Sequence, residues 1–168
     1  MTKLMKLLNF FDFEHFKKTG YPSIALEYYA FRNGPVPKKF WLEVKDGIPP
    51  DDLSGKVMLR SGERNRKETE FIARPGAQVD FTIFTRREQE ILQKLAYIYQ
   101  DVTAETMSDI SHEAEKPWAI TITEKGLNAP IDYLLALDEK SEVDREEAEE
   151  NLRDLFLILK AFDIEPAK

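Results

Sequence analysis

His15 and His112 are the only imidazoles among the 168 residues, and there is no cysteine. Proton transfer near neutral pH therefore has two natural carriers, while thiolate nucleophiles, thiolate metal sites and disulfides are excluded. Asp12 stands three residues before His15, one turn away on a helix, and Glu113 follows His112 directly. An Asp–His pair on one helical face is the start of a general-base arrangement. Asp12, His15, His112 and Glu113 could hold a metal if the two segments met in space. Neither pattern reaches the grade of a motif. His112 and Glu113 are adjacent, so a helix would splay them apart, and a polar side chain that satisfies backbone groups is the commoner use of such residues. A small hydrolase or metal enzyme on Asp12, His15 and His112 is thus the alternative. The main expectation is a chain with no catalytic residue, no metal and no cofactor.

Gly34-Pro35-Val36-Pro37 offers one glycine and two prolines. Proline lacks the N–H that a phosphate cradle needs, so this stretch reads as a rigid corner leading into a helix. Tyr28, Tyr29, Arg32, Pro35, Pro37 and Trp41 lie around it. Aromatics and arginine are enriched at binding hot spots, which makes these six the candidate partner-binding residues, although core packing is the competing fate of the rings.

The charge of −7 is unevenly spread: residues 1–137 carry 19 Lys+Arg against 20 Asp+Glu, and residues 138–168 carry 5 against 11. Nucleic-acid binding needs phosphates neutralised and is not expected of such a chain. The basic set Lys56, Arg60, Arg64, Arg66 and Lys67, opposed only by Glu63, has no interleaved aromatics for base stacking and reads as a solvated loop. The acidic run Asp138–Asp154 reads as a solvated helix face that could also steer toward a basic partner. Lys3, Lys6, Asn9, Asp12, Glu14 and His15 interrupt the Leu- and Phe-rich start, so neither a signal peptide nor a membrane span is expected there. Without cysteine, a reducing compartment and hence the cytoplasm is the natural setting.

The elements that must position these residues are mostly helical. Leu4–Phe16 places apolar residues on more than one face and predicts a central helix, stopped at Thr19-Gly20-Tyr21-Pro22. A helix is expected to resume at Pro35 and run to Val44, with Phe40, Trp41 and Val44 inward. Residues 46–67 read as an irregular exposed loop, with Lys56–Arg60 and Thr69–Arg74 able to pair as a hairpin. Asp80–Thr85 reads as extended. Thr85 and Glu88 then form a capping box ahead of the apolar stripe Ile91, Leu92, Leu95, Ile98 and Tyr99. Thr103 caps a shorter helix to about His112, and Val143–Phe162 is the last helix, acidic at its start and apolar all round at its end. The fold class expected is mainly α with a small antiparallel β-hairpin, an α+β single domain of about six helices. Residues 1–137 are expected to form the domain, and 138–168 an acidic amphipathic C-terminal helix packed on it.

In order along the chain, Lys6-Leu7-Leu8, Phe11-Asp12-Phe13, Thr19-Gly20, Tyr28 or Tyr29, and Gly34-Pro35-Val36-Pro37 resemble the N-terminal signature of the Panacea domain, the SocA-like antitoxin family. Phe84-Thr85 with Glu88, Thr103-Ala104, Ser111-His112-Glu113 and Trp118 are similar to its C-terminal signature. The resemblance spans about residues 4–120. It implies a phage-associated or bacterial toxin–antitoxin protein that binds a cognate toxin and, in some relatives, presents it to a protease. It also implies structural signature roles for Asp12, Gly20, Gly34, Val36, His112 and Trp118. Relatives carry a further helix ahead of the Lys6-Leu7-Leu8 segment, on which this chain almost begins. The resemblance therefore implies a truncated start, or else the C-terminal helix or a second subunit over the face that helix would cover. A scaffold that forms a homodimer through its apolar C-terminal helix is a further alternative.

Overall fold

Helix α1 (Thr2–Thr19) runs through the middle of the molecule in a computed structural model that describes residues 1–61 and 69–162. Its apolar residues occupy several faces because it is enclosed by several elements, and Met5, Phe11, Phe13 and Phe16 are all buried. Gly20 ends it in the left-handed conformation at φ 72°, its N–H bonded to the Phe16 carbonyl at 2.8 Å.

Strands β1 (Tyr28–Phe31) and β2 (Gly34–Pro37) form a tight antiparallel hairpin, and α2 (Lys38–Val44) begins only after it. The expected helix start at Pro35 is therefore wrong. Tyr28 and Ala30 direct their own backbone groups away from β2, toward Asn128, Ala129 and Ile131. Pro35 and Pro37, opposite Ala30 and Tyr28, fall where a strand needs no N–H, so the prolines are tolerated in the ladder.

The loop expected over residues 46–67 contains one helical turn, α3 (Asp51–Ser54), and then β3 (Val57–Ser61). β3 pairs antiparallel with β4 (Thr69–Ala73), as the sequence predicts. Glu63, Arg64, Arg66 and Lys67 lie outside the described residues. Of the other two basic residues, Lys56 is exposed and Arg60 pairs with Glu70 across the hairpin at 2.7 Å.

Phe81–Ile83 is a short 3-10 helix and not the extended run expected, because the Asp80 carboxylate accepts the Thr82 N–H at 2.9 Å and closes the turn. α4 (Arg86–Tyr99) starts at the predicted capping box: Thr85 N–H donates to Glu88 at 2.7 Å and Glu88 N–H to the Thr85 hydroxyl at 3.3 Å. α5 (Ala104–Ser111) is capped by Thr103, and α6 (Pro117–Lys125) carries its proline at the first position. A second 3-10 helix spans Tyr133–Ala136, and α7 (Arg145–Ala161) follows an Asp144 cap. Among the described residues this makes seven α-helices and two small hairpins in an α+β fold.

Two apolar clusters meet on α1. Phe13 and Phe16 pack with Tyr28, Ala30, Ile131, Ala136 and Ala148, while Phe11 packs with Ile91 and Leu95 of α4. α7 joins the first cluster through Ala148 and Leu152, and its Asn151 amide donates to the Thr19 carbonyl at 2.9 Å. On its last turns Phe156, Leu157, Ile158 and Phe162 are exposed. No helix among the described residues is long and apolar enough to cross a membrane.

Candidate functional site

Asp12 is fully buried, and its carboxylate ties the chain between α1 and β1. One oxygen accepts the Ile24 N–H at 2.6 Å; the other accepts from Leu26 N–H at 3.3 Å, Tyr28 Oη at 3.0 Å and Tyr133 Oη at 3.2 Å. Burial raises its pKa against the pull of those four donors, and burial likewise pushes both tyrosines well above their ordinary range. Tyr133 Oη can give its proton to only one acceptor, and the Leu26 carbonyl, at 2.6 Å, is closer than Asp12. This buried carboxylate organises residues 24–28 and has no face open to solvent.

His15 has separate business. Its Nδ1 donates to the Tyr21 carbonyl at 2.7 Å, helping to hold the turn after α1. His112 caps the end of α5 with its ring stacked on Trp118, centroids 3.8 Å apart. Trp118 in turn donates its indole N–H to the Phe31 carbonyl at 2.8 Å. Asp12, His15 and His112 thus serve three different backbone segments, and none of them lines either of the hollows described below. Among the described residues no group of three His, Asp or Glu side chains could hold a metal ion.

The charged group of greatest interest is one that the sequence shows only as an interruption of an apolar run. Lys6 is 1% exposed, and its ammonium donates to the Asn33 carbonyl at the hairpin turn. His112 bonds the same carbonyl, and its Nε2 is buried without a partner. Gly34 makes the room: with φ 106°, a Cβ there would sit 1.7 Å from Lys6 Nζ and 2.7 Å from Ser111 Oγ. Burial lowers the Lys6 pKa to about 7 and also lowers that of His112, with the nearby Lys6 charge as the next cause. The hairpin tip, α1 and the end of α5 are therefore joined at one carbonyl.

Of the six candidate partner-binding residues, Tyr28, Pro35 and Pro37 are buried, Tyr29 and Trp41 are half-buried, and Arg32 is exposed. Tyr29 carries the Lys38 ammonium over its ring at 4.9 Å, and Trp41 meets Phe31 edge-on at 5.8 Å. Arg32, Pro35 and Trp41 line a hollow of about 230 Å³ together with Lys6 and Phe31. Of the signature positions, Gly20 receives α7, with Asn151 Nδ2 only 2.6 Å from where its Cβ would be, and Val36 is half-buried in β2.

Pro35 also backs a second cleft of about 240 Å³, walled by α1, α4, the end of α5, the start of α6 and the segment 131–138. Asn9, on α1, lines it. Nothing local in the sequence marks Lys6 and Asn9 as buried: their neighbours one helical turn away include Thr2, Lys3 and Asp12 as well as Met5, Phe10 and Phe13.

Neither the curated proteins nor the solved structures contain a match to this chain. The family profile of the antitoxin SocA-like Panacea domain matches residues 4–119, which takes in α1, both hairpins and every element through the start of α6. The chain belongs to the SocA-like antitoxin family and carries its Panacea domain.

Proposed function

We propose that this chain is an antitoxin that neutralises a cognate toxin protein by direct contact. The family match over residues 4–119 carries the reading. Several structural features support it. The polar residues best suited to acid–base chemistry are bound to backbone groups, so they brace the fold. The corner at β1–β2 keeps Tyr29, Arg32 and Trp41 accessible on a hairpin fixed by Lys6 and Asp12, a rigid platform of the kind that loses little entropy on binding. The mechanism is occlusion of the toxin by a surface with aromatic anchors and a polar rim. Handing the bound toxin to a protease is the finer role that this surface would serve in an adaptor. The cytoplasm is the proposed setting, in keeping with a chain free of cysteine.

The test is co-expression with the product of the adjacent gene. Growth arrest by that product, relieved by this protein and relieved less by Trp41→Ala, is the expected result. A neighbour that is not toxic, or toxicity left untouched, contradicts the proposal.

A second reading rests on a separate observation. Phe156, Leu157, Ile158 and Phe162 are 54%, 64%, 52% and 73% exposed on the last turns of α7. A helix end apolar on all sides calls for a covering surface, and a second copy of the chain would give a homodimer through α7. A strictly monomeric mass in solution at high concentration removes this reading.

A further inference from the structure

The cleft walled by α1, α4 and the α5–α6 junction has a feature that packing alone does not require. Asn9 is 7% exposed, and its side chain makes no hydrogen bond to any described residue. Its amide is also absent from the sealed, unpartnered groups, of which His112 Nε2 is the sole example among the described residues. The unpaired carboxamide of Asn9 therefore opens into the cleft, the space that it lines. With no partner in the protein, the amide keeps its donors and acceptor available to whatever enters the cleft, which an apolar residue at this position would not do.

The surroundings define what would complete it. Phe10, Phe13, Trp118 and Leu95 give the cleft apolar and aromatic walls. Its volume of about 240 Å³ exceeds the ~150 Å³ that holds a benzene ring, leaving space for an amide beside the ring. The rim is neutral in balance: Lys17, Lys94 and Lys116 stand against Glu14, Glu115 and Asp138, with Lys17 paired to Asp138 at 2.5 Å and Lys94 to Glu14 at 3.7 Å. Lysines already matched by carboxylates do not make a phosphate site. A carboxamide, with one acceptor and two donors, is the complement of a peptide group.

We propose that this cleft receives an extended segment of the partner protein, one large apolar side chain filling it while the segment's main-chain amide pairs with Asn9. The inference rests on the partner-binding reading and locates part of the contact. Pro35 stands in the wall of both this cleft and the hollow beside Arg32 and Trp41, so the two recesses adjoin one strand of the hairpin.

The probe is N-acetyl-L-tryptophanamide, titrated into the isotope-labelled full chain and followed by NMR, with AMP as the competing ligand class. Saturable shifts of the Asn9 side-chain amide and the Trp118 indole are expected, with affinity falling at least about tenfold in Asn9→Leu, the equivalent of one lost hydrogen bond. AMP is expected to leave these resonances unmoved. Ile98→Glu provides the second variant: Ile98 is 46% exposed at the mouth, so the change spares the core while placing a charge where the apolar ligand enters. No saturable shift with the tryptophan amide, an affinity in either variant equal to that of the native chain, or tighter binding of AMP at the same residues overturns the proposal. Tryptophanamide binding without growth rescue would sink the antitoxin reading and leave the cleft; rescue unaffected by Asn9→Leu and Ile98→Glu would sink the cleft alone.

Discussion

Replacing Lys6 by methionine should stabilise the protein at pH 6 and abolish a rise in stability that the native chain shows toward pH 9. Lys6 is 1% exposed, and its ammonium has the Asn33 carbonyl as partner, with burial as the cause that depresses its pKa from 10.5 to about 7. A base with a depressed folded pKa releases its proton in the folded state first. Between about pH 7 and 10.5 the unfolded chain then binds more protons, so stability rises with pH through that window and falls back as pH drops through 7. At about 1.36 kcal/mol per pKa unit, keeping Lys6 charged costs on the order of 5 kcal/mol, and the part of it relieved between pH 6 and pH 9 is about 2.5 kcal/mol. Lys6→Met loses a charged hydrogen bond worth ~1.5–3 kcal/mol, so a net gain of about 2 kcal/mol remains at pH 6. Urea unfolding followed by the fluorescence of Trp41 and Trp118, run on both proteins from pH 6 to pH 9, measures the difference. His112 shares the Asn33 carbonyl, and burial lowers its pKa from the ordinary value. Parallel pH curves for the two proteins, or a destabilised Lys6→Met at pH 6, would refute the reasoning.

Other substitutions follow from the same geometry. Gly34→Ala drives a Cβ to 1.7 Å from Lys6 Nζ at a φ of 106°, and should lose at least about 2 kcal/mol in urea unfolding. Gly55→Ala, with open space around its Cβ, should stay within about 0.5 kcal/mol of the native chain. Asp12→Asn turns an acceptor-only group into a mixed donor and acceptor facing two backbone N–H groups and the Tyr28 hydroxyl; a loss of ~2–4 kcal/mol is expected by thermal or urea unfolding. If α7 forms a homodimer, Leu157→Glu should convert it to a monomer by light scattering without lowering monomer stability, since Leu157 is 64% exposed.

What could be read from sequence was whatever is settled within a few residues. The Thr85/Glu88 capping box, the Gly20 stop, the Thr103 cap and the β3–β4 pairing all depend on near neighbours, and the structure has them as expected. The strand at Pro35 and Pro37 was hidden because it depends on Ala129 and Ile131, almost a hundred residues away, drawing off the β1 backbone groups. Phe81–Ile83 went wrong for the opposite reason: a single side chain, Asp80, outweighed the β-prone residues beside it. Among the candidate site residues, Asp12 and His112 were visible as polar groups in apolar settings, but only the fold shows that they hold different segments. Lys6 and Asn9 looked like solvent-facing breaks because nothing local announces that α4, α5 and the hairpin close over α1.

Direct titration of the purified protein with its purified toxin, by calorimetry, addresses the central claim most closely. The account predicts saturable binding with a Kd below about 1 µM and loss of toxin activity at the same stoichiometric point. Toxin activity relieved in cells with no heat and no complex between the purified proteins would contradict it.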